Sequence, residues 1–193
     1  ILKRLAATAD VLVENYRAGA LPKLGLGYED MAKINPRLIY CSMTGFGQKG
    51  PKGGQTAYDN VIQAASGLMT LSGEKGAGPM KVGPPVLDYG SGAMAAFGIS
   101  CALYQRTRTG KGQHIDASML DSAIMLMAST AIDYVNGGGM PSPNGNDSSN
   151  AGYSCYETKE GLLMIGAYTA AQHGRLWKAL GKPEMGGNLK GLT

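Results

Sequence analysis

Two consecutive prolines, Pro84 and Pro85, stand directly before a long apolar stretch, and this junction constrains the fold more than any other feature. Proline lacks an amide hydrogen and clashes with the preceding helical turn, so a helix cannot extend back through the pair. Residues 93–104 are apolar on nearly all sides, which predicts a buried helix. Asp88 is the one acidic residue at the junction, and we expect it at or just before the first turn of that helix.

Two roles for Asp88 fit this position. Aspartate is a common N-cap residue, because its carboxylate accepts free N–H groups of the first turn and is favoured by the helix dipole. A carboxylate at the buried end of a helix can also act as a nucleophile. Gly90 and Gly92 would let a ligand or another backbone segment approach closely. These residues alone favour the cap.

The composition is that of an ordinary globular protein of 193 residues, with 44% hydrophobic and 17% charged residues. This length predicts one domain, or one domain and part of a second. The 30 glycines fall mostly in short clusters and predict tight loops. The net charge of +4, without a run of Lys or Arg, disfavours nucleic-acid binding and suits a small polyanion such as a coenzyme.

The cysteines indicate a reducing compartment. Cys41, Cys101 and Cys155 are far apart, odd in number and without CxxC spacing, which argues against disulfides and against a zinc site. No uninterrupted apolar run reaches the ~20 residues that a membrane span needs, and no signal peptide is recognisable. We therefore expect a cytoplasmic protein without membrane association. The first residue is Ile1 rather than methionine, so we also expect an internal piece of a longer chain.

Short strands and helices alternate in the first part of the sequence. Residues 11–13 and 38–43 resemble buried strands, and residues 28–34 between them have the pattern of a helix that stops before Pro36. Strand, helix and strand with short connections predict an α/β fold with a Rossmann-like parallel sheet. Further elements are expected at residues 58–69 (helix), 113–117 (strand), 120–135 (helix), 153–158 and 162–167 (hairpin strands), and 170–180 (helix).

This pattern predicts two domains. Residues 1–135 form the large domain, a Gly/Pro/Asn-rich linker occupies residues 136–152, and residues 153–193 begin a smaller α+β domain. Met125 and Met127 are expected to fill the core. His114 lies in the strand at 113–117 without a second metal-type neighbour, which favours a structural role.

A glycine-rich segment follows the second strand. Residues 45–50 read GFGQKG and match the dinucleotide fingerprint, but that fingerprint requires a helix at its last glycine. Here Pro51 continues the loop instead. We interpret residues 45–55 as a mobile loop, either covering a ligand or acting as a plain linker, and the sequence does not separate these two roles.

Seven stretches together resemble the class III CoA-transferase family, which includes formyl-CoA and carnitine CoA-transferases. They lie in the family's order and cover nearly the whole chain: residues 13–19 (VENYRAG), 34–40 (INPRLIY), 45–47 (GFG), 57–59 (AYD), 67–69 (GLM), 109–113 (TGKGQ) and 180–184 (LGKPE).

The resemblance implies a Rossmann-like large domain with a smaller domain, an interlocked homodimer, and chains about twice this length. It implies that Asp88 is the nucleophile and that Tyr58 and Gly90 line the active site. Coenzyme A, as the acyl-CoA substrate, would be bound by residues matching the family's contact positions: Asn15, Tyr16, Arg17, Lys23 and Leu24. The partners implied are an acyl-CoA and a free carboxylic acid, and no metal is required.

The mechanism implied is covalent. Asp88 attacks the thioester and releases CoA thiolate, which attacks the resulting anhydride and leaves CoA on the aspartyl group as a thioester. A helix N-terminus would supply N–H groups to the developing oxyanion. The identity of the donor and acceptor acids cannot be read from the sequence.

Two alternatives remain beside the transferase. The family's fold also hosts α-methylacyl-CoA racemases, which carry a histidine at the position of Tyr58 and a glutamate after the Gly-Ala of the small domain, where this chain has Tyr168. A neutral tyrosine, with a pKa near ~10, replaces an imidazole poorly. The other alternative is a CoA-binding fragment without activity. Residues 147–152 also differ from the four-glycine lid of formyl-CoA relatives, which leaves the substrate open.

Overall fold

The computed structural model describes residues 1–148, 150 and 152–187. The chain divides into two compact units, and the change from the first to the second along the main chain falls between Pro141 and Ser142. The segment Ser72–Gly78 also belongs to the second unit, although the sequence placed it in the large domain. Residues 149, 151 and 188–193, which fall in the predicted linker, the predicted small domain and the lid segment, lie outside the described residues.

A parallel three-stranded sheet forms the centre of the first unit. Its strands are β1 (Val11–Glu14), β2 (Ile39–Thr44) and β3 (Gln113–Ser118), in the spatial order β1-β2-β3. Val11 pairs with Ile39, and Ile39 pairs with Gln113. The predicted α/β fold with a parallel sheet is therefore confirmed.

Helices connect these strands, and a hairpin with one longer helix forms the second unit. The first unit contains α1 (Leu2–Ala6), α2 (Ala20–Lys23), α3 (Tyr28–Ile34), α4 (Asp59–Ser66), a 3₁₀ turn (Leu68–Leu71), α5 (Val86–Thr109), α6 (Met119–Leu126) and α7 (Ala128–Val135). The second contains the antiparallel strands β4 (Cys155–Thr158) and β5 (Gly161–Met164), then α8 (Ala170–Ala179) and a 3₁₀ turn (Pro183–Gly187).

Two predicted helices are shorter than the sequence indicated. The helix predicted at 58–69 ends at Ser66, because Gly67 adopts a left-handed conformation with φ of 85°. The helix predicted at 120–135 is broken at Met127 into α6 and α7. Met127 is buried as expected, whereas Met125 is 45% exposed, so its predicted core position is wrong.

The two faces of the sheet are covered by different helices. On one face, the His114 ring stacks on Tyr28 of α3 with centroids 5.1 Å apart, and its Nε2 lies 2.9 Å from Ser42 Oγ. Burial lowers the pKa of His114. On the other face, Gly98 of α5 lies against Ile115 of β3. His114 thus has the packing role that the sequence favoured.

Helix α5 is only partly buried, which corrects the expectation that it is enclosed on all sides. Its buried residues are Leu87, Ser91, Ala95 and Ala102. Tyr89 and Phe97 are 72% and 64% exposed, because the sheet and the neighbouring helices cover a single side. Among the described residues, α5 alone is long and apolar enough to cross a membrane, a criterion that core helices also meet. Its contacts with β2 and β3 are those of a core helix.

Arg106 anchors the C-terminal end of α5 to the starts of two strands. The Arg106 side chain is only 12% exposed. Its Nη1 donates to the carbonyl oxygen of Arg37 at 2.9 Å, and its Nη2 lies 2.6 Å from Asp10 Oδ1. Asp10 and Arg37 stand shortly before β1 and β2, so one guanidinium fixes the helix against both strands.

We predict that Arg106→Ala lowers the free energy of unfolding by about 1–3 kcal/mol, because it leaves strand-edge carbonyls without their charged donor. Asp10 is largely exposed, so solvent screens the ion pair and the carbonyl contacts dominate the loss. Urea denaturation measures the effect. Arg108→Ala is the matched control, since Arg108 bonds only the neighbouring Tyr104 hydroxyl of its own helix. Equal destabilisation by both variants would contradict the anchoring role.

Candidate active site

A cavity of about 530 Å³ opens at the carboxyl ends of the three parallel strands. Ligands in open α/β sheets bind at this edge, where the loops after the strands diverge. The volume lies within the usual range for ligand sites. It is lined by Asn15, Tyr16, Arg17, Ala18, Met43, Thr44, Gly45, Gln55, Thr56, Ala57, Tyr58, Asp88, Ser91 and Met119.

The lining divides by exposure into a rim and a floor. We call the exposed side chains the rim: Asn15, Tyr16, Arg17, Gln55, Thr56, Tyr58 and Asp88. The floor consists of the more deeply placed residues at the ends of β2 and β3 and on α5: Met43, Thr44, Gly45, Ser91 and Met119.

Five of the eight site residues expected from the sequence line this cavity. They are Asn15, Tyr16, Arg17, Tyr58 and Asp88. The other three lie outside the lining. Lys23 is exposed at the end of α2, and Leu24 beside it is 69% exposed. Gly90 faces Leu126 instead, with Leu126 Cδ1 3.7 Å from the position of a Cβ.

Asp88 is the third residue of α5 and does not cap it. Pro85 occupies the N-cap position, and its side chain makes no hydrogen bond to the helix. Within residues 1–148, 150 and 152–187, the Asp88 carboxylate has no hydrogen-bond partner, and it is exposed at the rim. The interpretation of Asp88 as a cap is therefore wrong, and its carboxylate is left unpaired within the described residues.

Asp59 performs the capping function from a different helix. Its buried carboxylate accepts the backbone N–H of Leu87 at 2.8 Å and that of Asp88 at 3.1 Å, both on Oδ2. Its Oδ1 accepts the side-chain amide of Gln63, whose own oxygen accepts the N–H of Val82 at 2.9 Å. Asp59 also lies in the first turn of α4, so two helix N-termini surround one carboxylate.

The environment of Asp88 raises its pKa above the ordinary aspartate value. The first cause is desolvation, which disfavours the charged form, and the second is the negative charge of Asp59. A carboxylate with a raised pKa is a more basic nucleophile when ionised. Asp59 therefore holds the backbone at the start of α5 and contributes to the raised pKa of Asp88.

The glycine-rich loop of residues 45–55 is tethered at two points. The Arg17 Nε donates to the carbonyl oxygen of Gly54 at 3.1 Å. The backbone N–H of Gln48 lies 2.9 Å from one Asp116 oxygen and 3.1 Å from the other. Gln55 at the end of the loop reaches the rim. Arg17 thus holds the loop in place in addition to lining the cavity.

Sequence reasoning missed the roles of four residues of this site. Asp59 and Gln63 are separated by four positions, a helical spacing that allows their contact, but nothing in the sequence shows that they meet the start of α5. Thr44 and Ser91 carry no motif at all. Among the residues described, no group of three or more His, Cys, Asp or Glu side chains is arranged to hold a metal ion.

Comparison with known proteins places the chain in a class. The sequence profile of CoA-transferase family III matches residues 1–190. Succinyl-CoA:glutarate CoA-transferase of Mus musculus is 41% identical over 186 residues, which cover 96% of this chain and 43% of that protein. Acetyl-CoA:oxalate CoA-transferase of Acetobacter aceti is 44% identical over 147 residues, with 76% of this chain and 38% of that protein covered. The crystal structure of a CAIB/BAIF family protein from Brucella suis, 39% identical, superposes with a TM-score of 0.82 over 100% of this chain and 51% of its own.

The chain belongs to CoA-transferase family III. This confirms the resemblance drawn from the seven sequence stretches. The chain spans about half the length of the curated relatives that it matches.

We predict that Asp59→Asn moves the acid limb of the pH–activity profile of the complete protein to lower pH. The family resemblance leads us to expect the ionised form of Asp88 as the nucleophile, so activity should fall as pH drops through its raised pKa. Removing the charge of Asp59 removes one cause of that elevation and lowers the pKa. Desolvation, the larger cause, persists, so the limb stays above the ordinary aspartate range.

The measurement is kcat/KM against pH, with Asp121→Asn as the control, because Asp121 is also a first-turn aspartate but lies outside this cavity. A limb that is unchanged or moves to higher pH in Asp59→Asn would contradict the electrostatic role.

Proposed function

We propose that this chain carries the catalytic part of an enzyme that transfers CoA from an acyl-CoA to a free carboxylic acid through an aspartyl-CoA thioester on Asp88. The observation that carries the proposal is the position of Asp88. It is a free carboxylate with a raised pKa, at the rim of a cavity on the carboxyl edge of a parallel sheet. Membership of CoA-transferase family III gives that carboxylate its reaction class.

The cavity rim fits the two parts of an acyl-CoA. Asn15, Tyr16 and Arg17 follow β1 and supply amide, phenol and guanidinium groups for coenzyme A. Asp88 and Tyr58 lie in the same lining, at the starts of α5 and α4, where the acyl group would be placed. Lys23 and Leu24, outside the lining, would contact only a part of coenzyme A that extends beyond it.

In the proposed reaction, each step forms one bond to a carbonyl carbon and breaks another. An oxygen of Asp88 forms a bond to the thioester carbon, the C–S bond breaks, and CoA thiolate leaves. The thiolate then attacks the aspartyl carbonyl carbon and releases the donor acid as a carboxylate. The acceptor carboxylate repeats the two steps in reverse and restores Asp88. All charges and atoms balance without a further reactant.

Dicarboxylic acids are the substrate class that we propose. The relatives are named for transfer between succinyl-CoA and glutarate, and between acetyl-CoA and oxalate.

A homodimer is part of the proposal, as the resemblance to the family implies. Helix α5 presents Tyr89, Phe97 and Tyr104 on its uncovered side, all of them more than half exposed. Apolar surface of this kind on a central helix is typical of an interface.

We predict that the complete protein, incubated with succinyl-CoA and glutarate and then treated with hydroxylamine or borohydride, acquires a modification on the peptide that contains Asp88. Peptide mapping by mass spectrometry locates it. Asp88→Ala should lose the modification and lose transfer by at least about a thousandfold, as expected when a covalent nucleophile is removed. It should still bind CoA, because Asn15, Tyr16 and Arg17 remain.

Asp121→Ala is the matched control and should retain both modification and transfer, since Asp121 lies at the start of α6 outside this cavity. Full transfer by Asp88→Ala, or a modification mapped to another carboxylate, would show that the nucleophile is not Asp88.

A second prediction separates transfer from racemisation. Racemisation needs an acid and a base on opposite faces of the α-carbon, and Tyr58 stands where the racemases carry histidine. We expect a 2-methylacyl-CoA to keep its α-hydrogen during incubation in D₂O while CoA transfer proceeds. NMR of the recovered thioester measures the exchange. Deuterium at the α-carbon, in wild type and not in Asp88→Ala, would replace the transferase with the racemase.

A further inference from the structure

The start of α5 has no free backbone N–H group for a reaction intermediate. The N–H of Val86 donates to Pro84 O at 2.8 Å, and that of Tyr89 to Pro85 O at 3.2 Å. The N–H groups of Leu87 and Asp88 are both taken by Asp59. The helix N-terminus was the expected oxyanion donor in the sequence-based mechanism, and these contacts occupy it. The negative charge that develops on the thioester oxygen must be stabilised by other groups.

Two buried hydroxyl groups in the cavity floor have unused hydrogen-bonding capacity. Ser91 is 1% exposed, and its Oγ has no hydrogen-bond partner in the described part of the chain. Thr44 Oγ1, at the end of β2, is likewise buried and unpaired there, but Thr44 alternates with Ser42 along the strand and so lies on the sheet face of His114, opposite α5. Buried polar groups are normally paired, so an unpaired hydroxyl that lines a cavity points to a ligand.

Ser91 stands on the same side of α5 as the nucleophile. It follows Asp88 by three residues, the spacing that places two side chains on one face of a helix, one turn apart. Both residues line the cavity, Asp88 from the rim and Ser91 from the floor. Ser91 is thus the buried hydroxyl one helical turn beyond Asp88 on the cavity side of α5.

Serine in a helix commonly donates to the carbonyl oxygen four residues earlier, as Ser100 of the same helix does to Ala96 O at 2.9 Å. Ser91 makes no such bond to the backbone. The same residue type in the same helix thus shows two behaviours, and the unpaired one is the serine that lines the cavity.

We propose that the hydroxyl group of Ser91 donates a hydrogen bond to the carbonyl oxygen of the acyl-CoA when Asp88 attacks it. This inference rests on the proposed function of the same site. The hydroxyl does not transfer its proton. The bond between Asp88 and the carbonyl carbon forms, the C=O electron pair moves to the oxygen and is stabilised by the O–H donor, and it returns as the C–S bond breaks. The same hydroxyl serves again when the CoA thiolate attacks the aspartyl carbonyl.

The kinetic test uses Ser91→Ala, which removes the hydroxyl with little change of shape, in the complete protein. Ser100→Ala is the matched control. We expect Ser91→Ala to lower kcat about 100-fold, as removal of an oxyanion donor does, with KM for succinyl-CoA changed less than about threefold. Ser100→Ala should match wild type. A kcat within about threefold of wild type for Ser91→Ala, or a loss confined to KM, would overturn the proposal.

A spectroscopic test removes the dependence on turnover. In an Asp88→Ala background, succinyl-CoA labelled with ¹³C at the thioester carbonyl binds without reacting. A hydroxyl donor lowers the C=O stretching frequency, so difference infrared spectroscopy should show a shift to lower wavenumber that is lost in Asp88→Ala/Ser91→Ala and kept in Asp88→Ala/Ser100→Ala. A shift that survives the removal of the Ser91 hydroxyl would show that another donor holds the oxygen.

The experiments distinguish the proposed function from the proposed role of Ser91. If wild type transfers CoA and Ser91→Ala has the same activity, only the role of the Ser91 hydroxyl is wrong. If wild type neither transfers CoA nor becomes labelled on Asp88, the proposed function is wrong, and the role of Ser91 is wrong with it.

Discussion

A single buried carboxylate holds the site together. Asp59 accepts two N–H groups from the first turn of α5 while it lies in the first turn of α4 itself, so the starts of both helices converge on one negative charge. Without this contact, the prolines before α5 would leave its first turn with unsatisfied donors. Desolvation raises the pKa of Asp88, and the charge of Asp59 raises it further. One buried group therefore supports the start of α5 and contributes to the titration of the carboxylate beside it.

The fold was predictable where local rules act alone. The helix at Tyr28–Ile34 and the strand that follows it were read from hydrophobic periodicity and from Pro36, because those signals are local. The ends of α4 at Gly67 and of α6 at Met127 were not predicted. A glycine or methionine inside an apolar stretch is compatible with either a continued or a broken helix. The exposure of Phe97 was not predictable, because an apolar sequence does not specify which chain covers it.

The site was predictable only through motifs. Asp88, Tyr58 and the residues after β1 were found because they stand in recognisable stretches, and the structure brings them to one cavity. Asp59, Thr44 and Ser91 were missed, because their roles come from contacts between segments distant in sequence. Composition and spacing cannot report that a hydroxyl is buried without a partner. Lys23 and Leu24 show the converse limit, since position in a motif does not guarantee a place in the cavity.

The bond between Arg17 and Gly54 joins the loop after β1 to the loop after β2. A ligand that binds the Arg17 guanidinium strongly enough to break this hydrogen bond would release the glycine-rich loop from Arg17. A ligand that leaves the bond intact would leave the loop attached. Linkage is reciprocal, so a change in the loop would alter affinity at the Arg17 end by the same free energy. Replacing a glycine of that loop would then change ligand affinity without altering any residue that contacts the ligand.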